Sequence, residues 1–149
     1  MIYLLRHGEA EDGDGDDAAR RLTAKGERQA RDAGRALAAL GAGIDACLAS
    51  PRVRAAATAR LACEALGVGV EIAEALGGGP FDPLALAAGR GDVLLVGHEP
   101  DFSAAVGQLT GAKVAMKKGG IAIADGSQLL ALMRPKEIRR IAASAGPSE

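Results

Sequence analysis

Aromatic residues and histidines are scarce in this chain. Only Tyr3, Phe81 and Phe102 are aromatic among 149 residues, and there are two histidines. Lys and Arg total 18 against 19 Asp and Glu, so there is no basic excess. Nucleic-acid-binding proteins usually have such an excess or a set of rings that stack on bases. The composition therefore argues against nucleic-acid binding.

Cysteine is scarce too, and long apolar runs are missing. Cys47 and Cys63 stand alone without metal-site or disulfide spacing, so we expect two buried thiols. No apolar run approaches the roughly 18–20 residues that span a membrane. The first six residues lack the basic start and apolar middle of a signal peptide. We therefore expect a cytoplasmic protein with no membrane partner.

What is present is the composition of a globular protein. Hydrophobic residues make up 48% and charged residues 25% of the chain. Because 33 residues are Ala and 21 are Gly, the larger aliphatic side chains must fill the core. The length suits one domain over residues 1–149, which we expect to be a monomer.

Short apolar runs alternate with segments of helical period in the first two thirds of the chain. The predicted strands are Ile2–Arg6, 45–49, 70–73 and 92–96. The predicted helices run from an N-cap at Thr23 to about residue 40, from Ser50-Pro51 to about residue 66, and over 82–88 and 100–109. Ser50 is expected as the N-cap of its helix and Pro51 as the first helical residue.

The last third changes character. Short strands are predicted over 113–117, 121–124 and Gln128–Met133, followed by a helix over 136–143 and a frayed tail over 146–149. The order of elements predicts an α/β domain of three layers, with a mostly parallel sheet, an antiparallel margin and flanking helices.

A polar, acidic stretch covers residues 9–21 and is the least structured-looking part of the chain. Its carboxylates could suggest calcium, but an EF-hand would need Gly at position 17 and Glu at position 23, where this chain has Asp17 and Thr23. We therefore expect a mobile, solvated loop and no metal site.

Both histidines directly follow predicted strands. His7 comes after the first strand, and His98 comes after the strand that ends at Val96. Arg52 and Arg54 follow a third strand. Because ligands of open α/β sheets bind beyond the carboxyl ends of the strands, we expect these side chains to converge at one edge of the sheet.

Such a cluster suits phosphoryl chemistry. Guanidinium groups bind phosphate oxygens, and a positive field keeps an imidazole deprotonated so that it can attack phosphorus. Residues two apart on a helix point roughly 200° from each other, so Arg52 and Arg54 cannot easily reach one phosphate. The backward lean of helical side chains favours Arg54, with Arg52 on a flank. The glycines beside the histidines, Gly8 and Gly97, are expected to admit a ligand close to the backbone.

Three motifs resemble one known family. They are Arg6-His7-Gly8-Glu9, then Ser50-Pro51-Arg52-Val53-Arg54-Ala55 with Thr58, and then Gly97-His98-Glu99-Pro100. Together they resemble the histidine phosphatase superfamily, which has the phosphoglycerate mutase-like fold. The short length and the segment from Arg21 to Gly26 are most similar to SixA-type phosphohistidine phosphatases.

The resemblance implies a role for each matching residue. His7 would be the nucleophile and form a phosphohistidine intermediate, Arg6 and Arg54 would bind phosphoryl oxygens, and His98 would donate a hydrogen bond to the transferring group. No metal or cofactor is implied. Four further residues are candidates for substrate contact: Gly8, Glu9, Arg21 and Arg52.

The general acid is left open by the sequence. Larger members of the superfamily carry an acidic residue, often with a covering insertion, before the strand of the second histidine. Here that interval is short, and Glu74 and Asp82 are its candidates. Because a protonated imidazole leaves readily, an open cleft without such an acid suits phosphohistidine displayed on another protein.

The resemblance therefore implies a phosphatase that removes phosphate from phosphohistidine in signalling or phosphotransfer proteins. A small-molecule phosphomonoesterase of the same superfamily is the first alternative. A catalytically idle module that binds phosphorylated partners is the second.

Overall fold

The computed structural model describes residues 1–13 and 15–145, and within them six strands and five α-helices are present. The strands are β1 (Ile2–Arg6), β2 (Ala46–Ala49), β3 (Val70–Ile72), β4 (Val93–Gly97), β5 (Ile121–Asp125) and β6 (Gln128–Met133). The helices are α1 (Ala24–Ala39), α2 (Val53–Leu66), α3 (Pro83–Ala87), α4 (Asp101–Thr110) and α5 (Pro135–Ser144). Short 3-10 helices lie at Asp17–Ala19 and Glu74–Leu76.

The strands form one sheet in the order β3-β2-β4-β1-β5-β6. The pairs β3–β2, β2–β4 and β4–β1 are parallel, whereas β5 pairs antiparallel with both β1 and β6. The predicted α/β class, with a mostly parallel sheet and an antiparallel margin, is confirmed.

Helices cover both faces of the sheet. Alternate residues of β1 point to opposite faces, so Tyr3 and Leu5 pack into one apolar cluster while Ile2 and Leu4 pack into the other. The first cluster contains residues of α1, α2 and α5, and the second contains residues of α3 and α4. β4 is buried along its whole length, as expected for a central parallel strand.

Most predicted elements are confirmed, with ends that shift by one residue. Thr23 caps α1 as predicted, since its Oγ1 accepts a hydrogen bond from the Gly26 amide at 3.0 Å. Cys47 and Cys63 are buried and free, as expected. No helix in the described ranges has the length and apolarity to cross a bilayer. The predicted frayed tail over 146–149 lies outside the described residues.

The predicted start of the second helix is wrong. α2 begins at Val53, and Arg52 rather than Ser50 occupies the N-cap position. Ser50 Oγ accepts a hydrogen bond from the Arg52 amide at 3.1 Å and also contacts His98, so its hydroxyl organises a turn before the helix. Pro51 lies in that turn.

The predicted strand over 113–117 is also wrong, because this segment pairs with no strand. Side chains bind its backbone instead. The Met116 amide donates to Ser103 Oγ at 3.1 Å, and the Met116 carbonyl accepts from Arg6 Nη1 at 2.9 Å. These contacts tie the segment to α4 and to the end of β1.

We predict that Gly34→Ala destabilises the protein, because Gly34 lies where α1 meets α2. A Cβ at this position would overlap the backbone carbonyl of Ala62, and the backbone has little room to move. We expect a loss of at least about 1 kcal/mol in unfolding free energy, measured by urea denaturation. The matched control is Gly107→Ala in α4, where a Cβ would make only ordinary contact at 3.4 Å. That variant should gain up to about 1 kcal/mol from helix propensity, and equal effects of the two substitutions would contradict the packing argument.

Candidate active site

The two histidines meet at the carboxyl ends of β1 and β4. The parallel register pairs Arg6 with Gly97, and the His7 amide donates to the Gly97 carbonyl at 3.0 Å. The ring centroids of His7 and His98 are consequently 5.1 Å apart, with a 55° tilt between the planes. Both residues are buried, at 5% and 7% exposure. The structure thus brings the two imidazoles into one site.

Hydrogen bonds assign the tautomer of His7. Its Nδ1 lies 2.7 Å from the Gly8 carbonyl oxygen, which can only accept, so Nδ1 carries the proton. Nε2 therefore keeps its lone pair, and Arg54 Nε donates to it at 3.4 Å. The His7 nitrogen that faces Arg54 is thus the one with a free lone pair.

His98 is held by Ser50. His98 Nε2 lies 2.7 Å from Ser50 Oγ, which already accepts from the Arg52 amide. The serine hydroxyl has a second lone pair as well as its proton, so this contact forms with the ring proton of His98 on either Nε2 or Nδ1. That Nδ1 is buried without a hydrogen-bond partner among the described residues, as is Arg6 Nε. A buried donor without an acceptor is costly, so Arg6 Nε favours an anionic ligand with several oxygens.

Burial lowers the pKa of both histidines. Desolvation is the largest cause for His7, and its pKa falls to about 4, with Arg54, Arg6 and Lys118 adding to the effect and the Gly8 carbonyl opposing it. Desolvation, then the His7 and Arg54 charges, lowers the pKa of His98 to about 3. The positive field that the sequence suggested is thus the smaller cause. Both rings are neutral near pH 7.

Arg54 is the buried cation of the site, with 5% exposure. Its Nη1 donates to the Asp17 carbonyl at 2.8 Å, and its Nη2 lies 3.2 Å from the Asp17 carboxylate. Arg52 and Arg20 also pair with this carboxylate. The side chain of Asp17 is itself 56% exposed. The carboxylate of Asp17, a residue of the same chain, therefore binds Arg54, to which the family resemblance assigned a phosphoryl oxygen.

Residues 11–13 and 15–19 are exposed, as expected of a solvated loop, but the Asp17 side chain also binds the arginines of the site. Residues 17–19 form a 3-10 helix against the arginines, and Ala10 bridges to Leu22. Sequence reasoning missed Asp17 because no motif marks it. The available signal was the concentration of acidic residues over residues 9–21 in a chain whose motifs contain several arginines.

The three side chains predicted to contact substrate at the edge of the site, Arg52, Arg21 and Glu9, lie in different surroundings. Arg52 lies on the flank, where its Nε donates to the Gly77 carbonyl at 2.7 Å. Arg21 is exposed and is not among the residues that contact the histidines or Arg54, whereas its neighbour Arg20 pairs with Asp17. The Glu9 carboxylate accepts from Thr23 Oγ1 at 2.7 Å, so it binds the start of α1.

The two glycines beside the histidines are required by protein packing. A Cβ on Gly8 would lie 2.5 Å from the Gly26 carbonyl oxygen of α1. A Cβ on Gly97 would lie 2.6 Å from the ring of Phe102. Each glycine therefore lets a helix pack against a strand end, and the approach of a ligand to these glycines stays a prediction.

The structure does not bring either candidate general acid to the histidines. The Asp82 carboxylate caps α3 by accepting from the Leu84 and Ala85 amides at 3.1 and 3.2 Å. Glu74 is exposed at the start of a 3-10 helix. Neither carboxylate is among the charges that shift the pKa of His7 or His98, whereas Asp17 is.

The sequence matches a known family over its first half. Residues 2–78 match the model of the histidine phosphatase superfamily (branch 1), and the chain belongs to this superfamily. The superfamily indicates phosphatase activity. No curated protein matches the chain in sequence.

Solved structures of similar length share the fold. The protein histidine phosphatase SixA in complex with tungstate has a TM-score of 0.79 at 23% identity, covering 92% of this chain and 98% of its own. A protein assigned as the phosphohistidine phosphatase SixA of Nakamurella multipartitia has a TM-score of 0.73 at 26% identity, covering 90% and 95%. Phosphoserine phosphatase from Entamoeba histolytica has a TM-score of 0.64 at 17% identity, covering 88% and 95%. The fold is thus of the SixA type, and other phosphatases share it.

We predict that both histidines titrate far below the ordinary histidine pKa of about 6.5. Two ring signals should move near pH 4 and pH 3 in an NMR titration, with His7→Ala and His98→Ala assigning them. Between about pH 4 and 6.5 the unfolded chain binds more protons than the folded one, so stability must fall as the pH drops through this window. A ring that titrates near 6.5 in the folded protein would contradict the burial described here.

Proposed function

We propose that this protein is a phosphohistidine phosphatase that works through a phosphorylated His7. Residues 1–149 would act as one monomeric domain on a phosphorylated protein. The observation that carries the proposal is the unprotonated Nε2 of His7, which faces Arg54 while the ring of His98 lies 5.1 Å away. A nucleophile, a cation and a second imidazole are the groups that phosphoryl transfer to nitrogen requires.

The proposed reaction has two steps. In the first, the His7 Nε2 lone pair attacks phosphorus, the bond from phosphorus to the substrate nitrogen breaks, and the leaving imidazole takes a proton from solvent. In the second, water attacks the phosphohistidine, its N–P bond breaks, and inorganic phosphate leaves with His7 neutral again. Arg54 and Arg6 would bind the non-bridging oxygens, and His98, with its ring proton on the unpartnered Nδ1, would donate a hydrogen bond to one of them.

Phosphohistidine is the substrate that best suits a site in which the described residues place no candidate general acid beside the histidines. Neither Glu74 nor Asp82 acts on the histidine pair, and Asp17 is bound by arginines. Loss of an alkoxide needs a proton donor, whereas an imidazole leaves as a stable neutral ring once protonated by solvent. The likeness to SixA, which binds the oxyanion tungstate, supports the same class of ligand here.

His7→Ala should abolish covalent labelling, because the proposed intermediate forms on His7 Nε2. Incubation with a phosphohistidine peptide labelled on the phosphoryl group should leave acid-labile label on wild type and none on the variant. His98→Ala should still be labelled, with turnover reduced at least about a hundredfold, because the oxyanion loses a donor. Label on His7→Ala would exclude the proposed nucleophile.

The same assay separates the alternatives. Turnover of the phosphohistidine peptide should exceed that of p-nitrophenyl phosphate at equal concentration. Equal rates would favour a small-molecule phosphomonoesterase, and binding without labelling or turnover would favour an idle binding module.

Asp17→Asn should strengthen the binding of inorganic phosphate, since phosphate must displace the Asp17 carboxylate from Arg54. An exposed ion pair contributes up to about 1 kcal/mol, so we expect inhibition by phosphate to tighten about two- to fivefold. The control is Asp16→Asn, because Asp16 caps the same 3-10 helix through the Ala18 amide and forms no ion pair with another described residue. Weaker phosphate binding in Asp17→Asn would show that the carboxylate assists the ligand instead of competing with it.

A further inference from the structure

A basic groove adjoins the histidine site. It has a volume of about 690 Å³, begins at Arg6 and lies between α1, the turn at residues 117–118 and the start of α5. Eight basic and two acidic side chains line it, although the whole chain has a net charge of −1. Positive charge is therefore concentrated beside the site.

Most of the basic side chains that line the groove form no ion pair with another described residue. α1 contributes Lys25 and Arg28, and α5 contributes Lys136 and Arg139. All four are exposed, and none of them forms an ion pair with another described residue. Like charges held close together repel each other, so an anionic ligand in the groove relieves that repulsion.

The groove is connected directly to the proposed nucleophile. Lys117 and Lys118 begin a turn whose Gly119 amide donates to the carbonyls of Arg6 and His7, at 3.1 and 3.0 Å. Arg6 lines the groove and also acts electrostatically on His7. A ligand in the groove and a phosphoryl group at His7 would therefore lie side by side.

We propose that the basic groove binds an acidic segment next to the phosphohistidine of the protein substrate. This inference rests on the proposed function and adds the kind of partner that the site accepts. Exposed lysine and arginine side chains are long and flexible, which suits carboxylates spaced along a polypeptide. Nucleic acid is disfavoured, because the three aromatic residues of the chain, Tyr3, Phe81 and Phe102, lie outside the groove and no ring can stack on bases.

The first measurement compares three substrates at low salt: free phosphohistidine, a phosphohistidine peptide flanked by glutamates and the same peptide flanked by lysines. Wild type should hydrolyse the glutamate-flanked peptide with at least about tenfold higher kcat/KM than the lysine-flanked one. The preference should shrink at high salt because exposed charges are screened. Labelled decaglutamate should also bind wild type in a fluorescence anisotropy assay.

The second measurement reverses charge on the groove with Lys25→Glu combined with Lys136→Glu. Both residues lie in the first turns of their helices, where a negative charge suits the helix dipole, so the variant should fold. We expect it to lose at least about tenfold in kcat/KM on the glutamate-flanked peptide and to keep its rate on free phosphohistidine. The control is Arg60→Glu with Lys113→Glu, which makes the same charge change at exposed positions outside the groove and should stay within about twofold of wild type.

The outcomes separate this inference from the proposed function. If no phosphohistidine substrate is hydrolysed, the proposed function fails, and decaglutamate binding still tests the groove. If free phosphohistidine is hydrolysed without any flanking preference, or if the control variant loses as much as the groove variant, only the groove inference is overturned. Stronger competition by a single-stranded oligonucleotide or by tripolyphosphate than by decaglutamate would overturn it as well.

Discussion

The parallel pairing of β1 with β4 is the constraint on which the site depends. Each of the two strands ends one residue before a histidine, and the register that pairs Arg6 with Gly97 places the two rings side by side. A slip of one residue would turn one strand's side chains to the opposite face of the sheet and separate the imidazoles. The apolar residues of both strands oppose such a slip, since each face of the sheet packs into its own cluster.

Burial gives the paired histidines their chemistry. A fully hydrated imidazole would be partly protonated near neutral pH, and a protonated ring has no lone pair with which to attack. Here desolvation, aided by the neighbouring guanidinium groups, lowers the pKa of His7 to about 4. The Gly8 carbonyl then decides which nitrogen keeps the lone pair. The glycine is required because α1 packs against it, so helix packing and tautomer assignment depend on the same residue.

The sequence predicted what short-range patterns encode. Apolar runs identified the strands around the site, and the positions of His7, His98 and Arg54 after those strands predicted their convergence. It could not predict contacts made by isolated polar groups over long separations. Ser50 binds His98 instead of capping a helix, Ser103 and Arg6 bind the backbone of Met116 in place of a strand partner, and Asp17 binds Arg54 across 37 positions of the chain. Each of these contacts depends on the finished fold, so no periodic pattern in the sequence indicates it.

Arg54 and Asp17 form an ion pair whose two side chains differ in solvent exposure, and this difference has a physical consequence. The Arg54 side chain is 6% exposed and cannot be rehydrated without opening the site, whereas Asp17 is 56% exposed. A buried guanidinium without an anion is strongly unfavourable, so Arg54 needs a negative partner at every stage of a catalytic cycle. Because the exposed Asp17 carboxylate can be fully hydrated at small cost, it is the member of the pair that is displaced. In the proposed reaction, a phosphoryl group arriving at His7 would therefore exchange with the Asp17 carboxylate, and the carboxylate would return to Arg54 when phosphate leaves.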